Sequence, residues 1–159
     1  MSTLHPQVKD YSEFYRILSG IQNEEHVQEM KQYLQHGCVS TYEHCETVAK
    51  LCYDINRILP VHADLRTLLT GAMLHDFYLY DWHYDGDGTH SLHGFSHANR
   101  ARMNARKYFH IDEEIGHVIY CHMWPLNPER IPRSREAWLV CLADKCVSLQ
   151  ETLFRRKKK

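Results

Sequence analysis

The chain has 159 residues, 19 basic and 20 acidic side chains for a formal net charge of −1, and a 43% hydrophobic composition. That length suits one domain able to bury about 70% of its unfolded surface, and the balanced charge leaves no whole-chain field to attract nucleic acid or an anionic membrane. The opening MSTLHPQVKDYSE lacks the basic segment and apolar run of a secretory signal, and no apolar run is long enough to cross a bilayer.

The expectation is therefore a soluble, cytoplasmic protein. The six cysteines form no CxxC pair and are expected to be reduced thiols, with Cys45, Cys52, Cys141 and Cys146 serving as small core residues. No internal repeat or interdomain linker is visible, so residues 1–159 are expected to make one domain. Its core is placed at about 35–150, preceded by helices within 8–34 and followed by a solvated basic tail, RRKKK, at 155–159.

Helical periodicity runs almost throughout. Amphipathic segments are expected at about 8–18 and 24–34, divided at Ser19-Gly20. A third helix starts after Ser40, where Ser40-Thr41-Tyr42-Glu43 has the S-x-x-E form of a capping box, and ends before Pro60. A fourth spans about 63–75. The following stretch, with its Gly, Asp, His and aromatic residues, reads as a long loop over about 77–94. Further helices are expected at about 96–108, 113–122 and 134–154, with Pro125, Pro128 and Pro132 keeping MWPLNPERIP out of helix. No sustained period-two alternation occurs, so the fold class is all-α, a bundle of six to seven helices.

Polar residues on the apolar faces of these helices raise the chemical question, and 13 histidines supply much of it. His44 aligns with Val48, Leu51, Ile55 and Leu59, which makes it either a satisfied core histidine or a ligand. His75 shares a face with Leu68, Gly71 and Ala72. With Asp76 it is either a helix-terminal histidine beside a loop cap or half of a metal site.

Asp144 follows the apolar AWLVCLA and faces the side of Ala137, Val140 and Val147, so it needs a basic side chain, a protonated histidine or a metal as partner. His97 aligns with Ala101, Ala105 and Tyr108, and His122 with Ile115, Val118 and Ile119, whereas His117 points elsewhere. His83, His90 and His93 fall in the long loop and read as surface or lid residues. The inward set is thus His44, His75, Asp76, His97, His122 and Asp144. Imidazoles with carboxylates suit Mn, Fe, Co, Ni or Zn, and the missing thiolates argue against a structural zinc knot.

The order His44, His75-Asp76, Asp144 resembles the HD superfamily of metal-dependent phosphohydrolases. QHGCVSTYEHCETVAKL is similar to the family's first-ligand helix, GAMLHD to its central motif and CLADKCVS to its closing aspartate helix, over roughly residues 35–150. The resemblance implies a compact helical bundle in which those four residues hold one divalent ion. HGFSHANRA resembles the family's H-P-x-x-A segment, with Ala98 in place of proline, and VIYCHMWPLNP the segment that completes a second site. His97 and His122 would then hold a second ion. No G-Y-P signature of cyclic-dinucleotide phosphodiesterases is present.

The activity implied is hydrolysis of a phosphomonoester or phosphodiester of a nucleotide or other small phosphorylated metabolite, by a metal-activated water. Asp76 is the expected bridging, catalytic carboxylate. Lys145, Arg100, Arg133 and Arg135 are candidate phosphate-neutralising groups. Two other readings share the ligand set: a di-iron oxygenase on the same scaffold, and a non-catalytic nucleotide- or metal-binding sensor.

Overall fold

A computed structural model describes residues 10–83 and 93–154. The basic tail at 155–159, His90 and the start of the first expected helix lie outside the described residues.

Helix α1 (Ser12–Gln22) carries Phe14 and Leu18 into the core. It runs through Ser19-Gly20 rather than dividing there, because one interior glycine costs only about 1 kcal/mol and the buried face continues to Gln22. The second expected helix is cut short. Helix α2 (Glu25–Glu29), capped by the Glu24 carboxylate, passes into a 3-10 turn at Met30–Gln32 and then into strand β1 (Leu34–His36). A turn at Gly37, whose φ of 61° favours glycine, leads to strand β2 (Val39–Ser40). This hairpin, too short to show alternation in sequence, is an addition to the expected all-α fold and pairs Leu34 with Ser40 and His36 with Val39.

Helix α3 (Thr41–Ile58) begins where the capping box places it. Ser40 Oγ accepts from the Glu43 main-chain N–H at 3.2 Å, and Glu43 Oε2 accepts from that of Ser40 at 2.9 Å. Helix α4 (Leu65–Leu74) starts two residues later than expected, because Asp64 Oδ1 accepts from the Thr67 N–H at 2.8 Å and fixes the cap. Helix α5 (His93–Phe109) starts three residues early, so His93 belongs to a helix and not to the loop. Helices α6 (Glu113–Cys121) and α7 (Arg135–Phe154) complete the bundle, the former capped by Asp112.

The core surrounds α4, in which every residue from Thr67 to Leu74 is buried. Gly71 packs tightly against α6: a Cβ there would lie 2.6 Å from Val118 Cγ1. Cys45, Cys52, Cys121 and Cys141 are buried thiols, whereas Cys38 and Cys146 are exposed. The placement of Cys146 in the core is therefore corrected. Its helix is apolar on two sides, which blurs the inward stripe. No helix among the described residues is long and apolar enough to cross a membrane.

Candidate metal centre

Five helices deliver the six polar residues. His44 lies one turn inside α3, His97 in the second turn of α5 and Asp144 midway along α7, while His75 and His122 are the C-cap residues of α4 and α6. All six are buried, Asp144 being the most exposed at 7%.

Their outer nitrogens show why such residues stand at helix ends. The last carbonyls of a helix have no intrahelical donor. His75 Nδ1 lies 2.7 Å from Ala72 O and His122 Nδ1 lies 2.8 Å from Ile119 O, the same arrangement used twice. His97 Nδ1 meets His93 O at 2.6 Å, and His44 Nδ1 meets Glu151 Oε2 at 2.9 Å. Each of these partners can only accept, so each Nδ1 carries the hydrogen. In the neutral ring that leaves Nε2 with the lone pair.

Four Nε2 atoms and two carboxylates then converge, and Asp76 divides them. Its Oδ2 is 3.8 Å from His44 Nε2 and 3.4 Å from His75 Nε2, while Asp144 Oδ1 is 3.0 and 3.6 Å from the same two atoms. Its Oδ1 faces the other way, 3.2 Å from His97 Nε2 and 3.5 Å from His122 Nε2, which are 3.0 Å apart. Ligands about 2.0–2.2 Å from one ion are separated by about 3.0–3.6 Å in tetrahedral or octahedral geometry. Six of these seven separations fall in that range, and the His44–Asp76 separation of 3.8 Å lies just above it.

Protein atoms alone satisfy this arrangement poorly. His75 Nε2 and Asp76 Oδ1 are buried with no hydrogen-bond partner among the described residues, and two imidazole lone pairs meet at His97 and His122. Burial disfavours an imidazolium at His44, yet the Asp144 and Glu151 carboxylates outweigh it and hold the pKa up to about 10. Burial would likewise raise Asp76 and Asp144, but the neighbouring histidines hold both carboxyls well below the usual range. At His122 burial prevails and the pKa is lowered. The field thus favours positive charge at the centre, more strongly on the His44 side. A divalent cation suits these donors.

Three contributors were not singled out from sequence. Glu151, buried at 3% exposure, orients His44. It lies seven residues after Asp144 on the same helical face, and that spacing was the available signal. Gln35 donates from Nε2 to Asp76 Oδ2, and its Oε1 accepts from the Tyr78 hydroxyl, so the amide is held in one orientation. A hairpin of two short strands gives no periodic cue for it. Ser148 Oγ donates to Asp144 Oδ1 at 3.1 Å.

Asp76, His97, His122 and Asp144 open into a cavity of about 1280 Å³. Lys145 lines it, but its Nζ donates to His122 O at 2.9 Å and Cys141 O at 3.2 Å and contacts Cys141 Sγ at 3.3 Å. The other candidate cations lie elsewhere among the described residues. Arg100 packs over the Tyr80 ring, Arg133 lines a separate cleft with His117 and Asp64, and Arg135 donates to the carbonyls of Val61 and His62. These arginines lie near the inward residues along the chain, but Arg133 precedes α7 and lines the other cleft, and Arg100 and Arg135 are taken up by a tyrosine ring and main-chain carbonyls.

The family model described as HD domain matches residues 41–149, most of the chain and all six converging residues. No curated protein and no solved structure matches the chain.

Proposed function

The chain belongs to the HD domain family, and on that premise we propose that it is a metal-dependent phosphohydrolase acting on a phosphomonoester or phosphodiester of a nucleotide or another small phosphorylated metabolite. The observation that carries the reading is Asp76, whose two oxygens face two separate clusters of imidazole and carboxylate donors at the base of an open cavity.

His44, His75, Asp76 and Asp144 would hold one divalent ion, and Asp76, His97 and His122 a second. Such ions lower the pKa of a bound water toward neutrality and stabilise charge on phosphoryl oxygens. The chain's own part is positioning. Each imidazole is locked by its Nδ1 hydrogen bond, and Asp76 is held by Gln35 and Asp144 by Ser148, so neither acid rotates freely. Lys145, tied to the His122 carbonyl, steadies the peptide of a second-cluster residue and places a fixed positive charge on the wall. The apolar residues lining the cavity exclude bulk water from the reacting group.

The test is phosphate release by metal-loaded protein across a panel of phosphomonoesters and phosphodiesters. Release should require added divalent metal and disappear in Asp76→Ala while the far-ultraviolet circular dichroism is retained. Activity that survives this substitution, or iron-dependent oxygen consumption without phosphate release, would overturn the reading.

A further inference from the structure

We propose that His36 is a positioning residue of the metal centre, holding Asp144 in its ligating orientation through Ser148; the proposal rests on the metal-binding part of the phosphohydrolase reading and not on the substrate.

His36 stands outside the six converging residues. It ends strand β1, half-buried on the cavity wall, and its Nε2 lies 3.2 Å from Ser148 Oγ. The direction of that bond follows from the next one. Ser148 Oγ donates to Asp144 Oδ1 at 3.1 Å, and an ionised carboxylate only accepts. A hydroxyl has one hydrogen, so Oγ can offer His36 only a lone pair, and Nε2 carries the hydrogen. Two donations in series therefore run from the cavity wall, His36 to Ser148 and Ser148 to Asp144.

This series removes a choice that Ser148 would otherwise have. Ser148 lies four residues after Asp144 on α7, where a serine hydroxyl can turn back to the main-chain carbonyl of the earlier residue. With His36 donating to Oγ, the hydroxyl hydrogen faces the carboxylate, and acceptance of one bond strengthens donation of the next. Asp144 Oδ1 is the oxygen turned to the first cluster, 3.0 Å from His44 Nε2 and 3.6 Å from His75 Nε2. One of its lone pairs is thereby committed to Ser148, which orients the other toward an ion.

The same strand serves the other acid. Gln35, the residue before His36, donates to Asp76 Oδ2. Consecutive residues of β1 thus steady both carboxylates of the first cluster, and the pairing of His36 with Val39 fixes the strand that carries them. The competing role for His36 is packing, because its ring also meets that of His44 edge-on, with centroids 5.4 Å apart at 80°.

Two substitutions separate these roles. His36→Phe keeps a ring against His44 and loses the donor, whereas His36→Gln loses the ring and keeps an N–H at about the place of Nε2. Manganese affinity by chelator competition should fall by about 2- to 10-fold in His36→Phe, the worth of one neutral hydrogen bond, and return to within about 2-fold of the native protein in His36→Gln. In cobalt-loaded protein the visible absorption bands, which report ligand geometry, should shift in His36→Phe and not in His36→Gln. Ser148→Ala should weaken binding at least as much as His36→Phe, and the double variant no more than Ser148→Ala alone, since both changes break one series of bonds.

Native affinity in His36→Phe, equal losses in His36→Phe and His36→Gln, or additive losses in the double variant would refute the proposal. A native protein that binds neither manganese nor cobalt would sink it together with the metal centre. The expected pattern in a protein that releases phosphate from no ester would instead sink the phosphohydrolase reading and leave His36 in its role.

Discussion

Glu151 Oε2 lies 2.9 Å from His44 Nδ1, and His44 is the one histidine of the converging four whose outer nitrogen meets a carboxylate instead of a main-chain carbonyl. A carboxylate behind a ligating imidazole fixes the tautomer and raises the basicity of the far nitrogen. Loss of that partner should weaken metal binding by about 10- to 100-fold, the usual effect of such outer contacts. Glu151→Gln retains an acceptor for the Nδ1 hydrogen and should fall at the mild end, with Glu151→Ala at the severe end. Competition against a graded series of chelators gives the affinities. Equal metal retention by all three proteins would show that Glu151 has no part in holding His44.

The two clusters differ in charge. Asp144, Glu151 and one oxygen of Asp76 surround His44 and His75, whereas among the described residues His97 and His122 share only the other oxygen of Asp76. Two ions should therefore bind with unequal affinity, the tighter at His44 and His75. Mass spectrometry on untagged protein should find two equivalents that fall to one in His97→Ala or His122→Ala, and the loss of both in Asp76→Ala. Chelation should lower the melting temperature by about 5–10 °C for each ion held at 100 times its Kd, because such a ligand adds about 2.7 kcal/mol and each kcal/mol moves a domain of this size by about 2–4 °C. A single equivalent in every protein, or a melting temperature indifferent to chelation, would contradict the two-cluster assignment.

The sequence showed most of the helices and all six converging residues, because both follow from one signal, the spacing of polar residues on apolar helical faces. His44, Asp144, His97 and His122 sit on faces three or four residues from aliphatic neighbours, and a buried helix has to explain each of them. What stayed hidden has no such periodicity. Gln35 reaches Asp76 from a two-strand hairpin, and Asp64 shifts a helix start by a local hydrogen bond that competes weakly with the hydrophobic pattern. The arginines illustrate the converse. Arg133 and Arg135 stand close to the closing helix along the chain, but side-chain direction depends on packing, and Arg133 lines the other cleft while Arg135 donates to main-chain carbonyls.

Gly71 sets the approach of α4 to α6, and with it the separation between His75 at the end of one helix and His122 at the end of the other. A methyl group at this position would meet Val118 Cγ1 at 2.6 Å and Val118 Cβ at 3.0 Å, with the β-branched side chain unable to swing aside. Gly71→Ala should destabilise the fold by about 1–3 kcal/mol despite the better helix propensity of alanine. The double variant Gly71→Ala with Val118→Ala should recover part of the loss. Denaturant unfolding measures both, and a neutral or stabilising Gly71→Ala would show that the helices move apart freely.

Cys52 supplies a pH dependence whose sign follows from burial. The thiol is fully buried on α3, and burial pushes its pKa up to about 12 from an ordinary value near 9. Between those values the unfolded chain has lost the proton and the folded chain still holds it, so the folded state binds more protons and its stability falls as pH rises. The contribution is fully present below about pH 9 and declines as pH rises toward 12. Melting temperature should therefore drop between pH 8.5 and 10.5, and Cys52→Ala, less stable at neutral pH, should show a shallower drop. Under native conditions at pH 8 a disulfide reagent should modify the exposed Cys38 and Cys146 while Cys52 is protected. Rapid modification of Cys52 in the folded protein, or a slope unchanged by its removal, would place the thiol in a solvated environment that the packing of α3 against α4 excludes.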